Sequence, residues 1–243
     1  MHEFETFVYL DVPKTGSDFI SSFLRKFCTE NKIRSERHVG MEDDYDRSKF
    51  YFISVRDPLD QYLSLYSYGC QTDGQLYQRL SKKGFGHLYD GTWNGFQSWL
   101  DFVLEPENAR LLGSGYAGAQ SGRISEFTGY QSYRVMTLAI PQADRLFATC
   151  ETKDLMSAAY KSHNLVGHTV RHETFRPDLL TLVNKKLRSS ISDLDEAIRY
   201  IETAQPRNAS DRIDRYEVNP TLGKKRQRRL EEREWLMYEI FGY

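Results

Sequence analysis

Residues 6–27 read Thr-Phe-Val-Tyr-Leu-Asp-Val-Pro-Lys-Thr-Gly-Ser-Asp-Phe-Ile-Ser-Ser-Phe-Leu-Arg-Lys-Phe. Phe7 to Val12 is a short apolar run of aromatic and β-branched residues, which suits a buried strand. Pro13-Lys14-Thr15-Gly16-Ser17 breaks that pattern. Phe19, Ile20, Phe23, Leu24 and Phe27 then recur at helical spacing with one apolar face. A strand, a short turn with glycine and a helix together aim backbone N–H groups at an anion, because a helix N-terminus carries about half a positive charge. Glycine lets the backbone approach a phosphate, and Lys14 adds a full charge. The stretch is not a Walker A loop, since Gly-x-x-x-x-Gly-Lys-Ser/Thr is absent and Lys14 precedes its glycine. An ordinary strand-to-helix turn with a surface lysine fits this stretch equally well.

Outward from it, Lys32 to Val39 reads as a second strand ending near His38, followed by an acidic loop at Glu42-Asp43-Asp44. Phe50 to Val55 is a strand by composition. It ends at Arg56-Asp57-Pro58, where a helix begins with Asp57 as N-cap and Pro58 at its first position, and Gly69 is its expected stop. This order predicts a parallel sheet with crossover helices. Tyr62 to Phe102 is thick with aromatics, more of them core than a stacking surface for sugar or aryl groups, and Asn94 to Leu104 is expected to be helical. Gly113 to Gly122 reads as a loop. Leu146 to Cys150 reads as a strand and Lys153 to Tyr160 as a helix. Helices are expected at Arg176–Leu187 and Ser192–Thr203, with one long C-terminal helix at Thr221–Phe241 after Asn219-Pro220. With no internal repeat and no linker, residues 1–243 read as a single domain.

The totals narrow the function classes. The 243 residues carry a net charge of −1, with a pI near 6.6, so no basic field points to nucleic acid. No apolar run is long enough for a membrane segment, and no signal peptide is read at the start. Cys28, Cys70 and Cys150 are odd in number and widely spaced, which favours free thiols in a reducing compartment. Asn208-Ala209-Ser210 matches a glycosylation sequon too short to weigh. His163, His168 and His172 have no acid or cysteine partner that would set a metal geometry, and read as loop residues.

The second informative stretch is Val55-Arg56-Asp57-Pro58-Leu-Asp-Gln61-Tyr62-Leu-Ser64. Arg56 leaves the carboxyl end of a strand, where ligands bind in open parallel sheets. Ser64 lies about 10 Å along the following helix, so a guanidinium and a hydroxyl are spaced to meet on one phosphate. By themselves these residues better suit an Arg56 paired with a nearby acid and a Ser64 facing water.

Taken together, Pro13-Lys14-Thr15-Gly16-Ser17 and Arg56-Asp57-Pro58 with Ser64 eight residues on resemble the sulfotransferase family. In particular they resemble its carbohydrate O-sulfotransferase branch and bacterial relatives. The motifs cover residues 7–68; the C-terminal end matches loosely and the middle hardly at all. The resemblance implies an α/β, three-layer P-loop-like fold with a central, mainly parallel sheet flanked by helices. It implies 3′-phosphoadenosine 5′-phosphosulfate (PAPS) as donor, 3′-phosphoadenosine 5′-phosphate (PAP) as product, no metal, and a hydroxyl-bearing acceptor such as a glycan. Lys14, Thr15, Gly16, Ser17 and Asp18 would hold the 5′-phosphosulfate, and Arg56 and Ser64 the 3′-phosphate. Lys14 would stabilise charge on the leaving oxygen. His38 is the expected base, with Glu36 and Glu42 as substitutes. Two positions depart from the pattern: Asp18 stands where relatives usually have Thr or Ser, and Gln61 where many have Arg.

The basic run Lys224, Lys225, Arg226, Arg228 and Arg229 reads either as a patch that closes over the 3′-phosphate or as a solvated helix face balanced by Glu231, Glu232 and Glu234. The expected function is sulfonate transfer in the cytoplasm, a trimmed luminal domain being the other location. The competing classes are a sulfotransferase-like binding protein without turnover and a P-loop phosphotransferase using ATP.

Overall fold

The computed structural model describes residues 1–41, 45–117, 123–205 and 222–243. They fall into two compact units. The first holds Met1–Arg56, Thr137–Pro141 and the described residues from Asn164 to Gln205. The second begins at Asp57, and includes the rest of the middle and the C-terminal helices.

The first unit is α/β, built on a five-stranded mixed sheet. Its strands are β1 (His2–Phe4), β2 (Phe7–Leu10), β3 (Lys32–Ser35), β4 (Phe50–Val55) and β5 (Val166–Arg171), in the order β3-β1-β2-β4-β5. β2 pairs parallel with β4, and β4 with β5, whereas β1 runs antiparallel to both β2 and β3. The expectation of a mainly parallel sheet is therefore corrected to a mixed one. The reason is β1, a three-residue strand too short to show a period; it hairpins into β2 and turns the neighbouring edge antiparallel.

Phe7, Tyr9, Phe52 and Val170 share one apolar cluster with Phe19, Ile20, Phe23, Leu24 and Phe27 of α1 (Ser17–Phe27). Leu179 and Leu182 of the helix Phe175–Leu182, and Ala197 and Ile201 of the helix Leu194–Thr203, complete it. Alternation along a strand sends Phe7 and Tyr9 to the same face, and helical spacing gives α1 one buried stripe. Each large apolar side chain buried there contributes about 1.5–3 kcal/mol. After Leu182 the chain continues as a π turn over Val183–Leu187, so the expected helix 176–187 is present with a wider last turn. The final helix here starts at Leu194, capped by the side chain of Asp193.

The second unit is helical. α2 (Pro58–Cys70) opens as expected, with the Asp57 carboxylate accepting from Asp60 N at 2.9 Å, and runs one residue past Gly69. The helix Trp93–Leu104 is capped by Thr92. Tyr62, Tyr66, Tyr89, Phe96 and Trp99 pack ring against ring within this unit, so these members of the aromatic belt are core.

Three expectations fail here. Residues 146–150 form no strand: Ala143–Ala148 is a helix, whose buried residues Ala143 and Phe147 stand one helical turn apart. Ser114–Ala117 is a short helix inside the expected loop, whose remainder, 118–122, lies outside the described residues. The C-terminal helix is two helices, Lys224–Arg233 and Trp235–Phe241, broken at Glu234. Glu234 is fully buried and accepts from Gln131 N at 3.3 Å, Ser132 N and Ser132 Oγ at 2.7 Å each, and the Tyr62 hydroxyl. It thereby caps the helix Tyr130–Ala139. The sequon and Asn219-Pro220 lie outside the described residues.

Candidate active site

The parallel pairing of β2 with β4 puts Leu10 opposite Ile53, so the segments leaving both strands emerge side by side. On one side is the turn 11–17; on the other are Ser54 and Arg56. A chain of hydrogen bonds ties them together. Tyr9 OH meets Ser54 Oγ at 2.7 Å, Ser54 Oγ meets Thr15 Oγ1 at 2.6 Å, and Thr15 Oγ1 donates to Val12 O at 2.8 Å. The Thr15 hydroxyl is thus turned inward and shapes the turn. Arg56 is buried, with Nη1 3.4 Å from the carbonyl oxygen of Lys14.

Gly16 is the N-cap of α1 at φ 89°, and a Cβ there would stand 2.7 Å from the Phe175 ring. Both the left-handed backbone and the close ring demand glycine. Four non-glycine residues among those described adopt positive φ: Lys14 at 66°, His38 at 60°, Thr72 and Gln142. Two of the four are the residues singled out for catalysis. Such conformations cost about 1–2 kcal/mol and persist where surrounding contacts hold them.

At His38 those contacts are visible. The expected strand to Val39 stops at Ser35, because residues 36–38 leave the sheet and fold over the turn. Nδ1 of His38 lies 2.9 Å from the carbonyl oxygen of Asp11 and 3.4 Å from its carboxylate Oδ1. The carbonyl oxygen is hydrogen-bonded to the ring and can only accept, so Nδ1 carries the proton and Nε2 is the basic nitrogen. Asp11 is fully buried; burial alone would raise its pKa. Interactions with His2, His38, Ser17 and Arg37 outweigh that and hold the carboxyl well below its ordinary value.

Arg37 bridges the turn. Its Nε lies 3.3 Å from Asp11 Oδ2, and Nη2 donates to Asp18 Oδ1 at 2.7 Å. The Asp18 carboxylate in the first turn of α1 is therefore neutralised by a residue of the His38 segment. Glu36 accepts from Arg34 Nε at 2.8 Å, and that contact lowers its pKa, which weakens it as a base. Glu42 lies outside the described residues.

Lys14, Thr15, Gly16, Ser17, Asp18, Arg56 and His38 thus gather at one end of the first unit's sheet. Ser64 is buried on α2 in the second unit, as is Gln61. Sequence reasoning missed Asp11 and Arg37, whose roles arise from the fold of residues 36–38 rather than from any spacing. The basic run is spread around its helix: Arg226 pairs with Asp101, Arg229 with Glu105 and Arg228 with Glu232, while Lys224 and Lys225 are exposed. His168 stands on β5 rather than in a loop, and His163 ends a helix. Among the described residues no group of three His, Cys, Asp or Glu side chains is placed to hold a metal ion, and no helix is long and apolar enough to cross a membrane.

No curated protein and no solved structure matches the chain. Residues 1–117, the stretch that carries the turn, His38, Arg56 and Ser64, match the model of the Sulfotransferase family, and that match supports a sulfotransferase relationship for this chain.

Proposed function

We propose that this protein transfers a sulfonate group from PAPS to a hydroxyl of an acceptor, a carbohydrate in the branch its motifs resemble. One observation carries the reading: the His38 ring rests on Asp11, so the expected base lies at the end of β2, where the turn that carries Lys14 begins. The turn 14–18 takes the 5′-phosphosulfate, and Arg56, with Ser64 by its motif position, takes the 3′-phosphate. A three-layer P-loop-like arrangement is part of the same proposal.

In the reaction the acceptor oxygen forms a bond to sulfur while the bond from sulfur to the phosphate oxygen breaks. His38 Nε2 takes the acceptor proton. Lys14 and the N-terminus of α1 neutralise charge growing on the departing PAP, as in phosphoryl transfer, where positioning and electrostatics supply most of the catalysis. The unpaired cysteines Cys28, Cys70 and Cys150 support a reducing compartment such as the cytoplasm.

The negative charge of Asp18 beside a phosphate opposes donor binding and favours a non-catalytic descendant. The Arg37–Asp18 ion pair offsets that charge and supports the enzyme reading. The test is calorimetric titration with PAP of the wild-type protein, Lys14→Ala and Arg56→Ala, followed by turnover of labelled PAPS over an acceptor panel. Micromolar binding lost in both variants, with turnover in the wild type, is the expected result. Binding without turnover on any acceptor would favour the non-catalytic class, and tighter binding of ATP with magnesium than of PAP would defeat the reading.

A further inference from the structure

We propose that Asp11 is a positioning residue for the reaction, setting the tautomer and orientation of His38 so that Nε2 faces chemistry as a base. The inference rests on the reading of His38 as the base given above.

The main-chain oxygen of Asp11 accepts from the imidazole Nδ1 at 2.9 Å, and its carboxylate Oδ1 stands 3.4 Å from the same nitrogen as a charge contact without a hydrogen bond. A neutral imidazole has one N–H, and Nδ1 is where the accepting carbonyl stands, so the lone pair is fixed on Nε2. The carboxylate is itself fixed. It is fully buried, and His2 Nε2 stands 3.7 Å from Oδ2 while Ser17 supplies a hydrogen bond. The His2 ring is held in turn by Ser35 Oγ at 2.9 Å and Ser21 Oγ at 3.0 Å. Arg37 contacts the same Oδ2 at 3.3 Å from the solvent side.

This arrangement has two consequences for a base. His38 sits at a left-handed φ of 60°, a conformation that needs external contacts, and the Asp11 carbonyl supplies one. When Nε2 takes the acceptor proton the ring becomes an imidazolium, and a carboxylate 3.4 Å from Nδ1 stabilises that charge as it forms. Asp11 itself neither gives nor receives a proton.

The decisive measurement is long-range proton–nitrogen NMR of the His38 ring in the wild-type protein, combined with kinetics of Asp11→Asn. The expected result is His38 protonated on Nδ1 in the neutral ring. In Asp11→Asn, kcat should fall roughly tenfold to a hundredfold, part of the 10²–10⁴ that a general base contributes, with PAP affinity within a few-fold of wild type. Should Asp11→Asn fail to melt cooperatively, Asp11→Glu takes its place with the same split expected. A wild-type His38 protonated on Nε2, or a folded variant with unchanged kcat, overturns the proposal. A wild-type protein that binds no PAP counts against the sulfotransferase reading instead, and the NMR tautomer still decides whether Asp11 sets the imidazole.

Discussion

Arg37 Nη2 donates to Asp18 Oδ1 at 2.7 Å, joining the segment that carries His38 to the first turn of α1. The pair is half exposed, so its own stability contribution is small, about 0.2–1 kcal/mol. Its larger effect is on charge at the anion-binding turn.

Asp18→Ser removes a negative charge beside the proposed phosphate and releases Arg37, so PAP should bind a few-fold more tightly. Arg37→Ala leaves Asp18 uncompensated and should weaken binding by a similar factor. Both shifts should shrink in high salt, since the charges are exposed. Calorimetry at low and high ionic strength checks this; equal affinities in all three proteins would show that Asp18 lies outside the ligand's field.

Gly16→Ala should destabilise the protein by about 2–4 kcal/mol. A left-handed residue with a Cβ costs about 1–2 kcal/mol, and displacing the Phe175 ring adds overpacking of similar size. Urea denaturation measures the loss. A variant as stable as wild type would mean that the turn and the Phe175 helix relax together without strain.

Glu234 accepts four hydrogen bonds from buried donors, and its removal strands them. Burial, then the Glu234 charge, keeps the Tyr62 phenol protonated as a donor. Glu234→Ala should cost on the order of 3 kcal/mol, and Glu234→Gln less, since one acceptor oxygen remains. Gly129→Ala should act in the same direction, because its Cβ would collide with the Glu234 carboxylate. Thermal melts rank the three, and an Ala variant within experimental error of wild type would refute the capping role.

Stability should fall in acid partly through Asp11. Its folded pKa lies below the unfolded value of about 3.9, so the native state binds fewer protons. The stabilisation is fully present above the unfolded value and is lost as the pH drops through it toward the folded pKa. Below about pH 4 wild type should therefore lose stability more steeply than Asp11→Asn, which has no carboxyl to titrate there. Urea midpoints across that range provide the comparison, and parallel curves would exclude Asp11 from the acid transition.

Much of the first unit was legible locally. Apolar runs identified β2 and β4 and one helical stripe identified α1, while in the second unit the Asp57-Pro58 cap located α2. Boundaries failed where distant residues intervene. The strand after Lys32 ends early because Arg37 and His38 are drawn to Asp11 and Asp18. The C-terminal helix breaks because Glu234 turns into the interior to cap a helix about a hundred residues earlier in the chain.

The sequence by itself determined the strand–turn–helix with Lys14 and Gly16 and the second motif at Arg56, since short-range periodicity and turn chemistry act within a few residues. Only the tertiary structure decided the register that sets Leu10 opposite Ile53, that Arg56 reaches Lys14, and that His38 is oriented by Asp11. Those contacts join residues 27 to 43 positions apart, and no local propensity encodes which buried carboxylate a histidine will meet once the chain has folded.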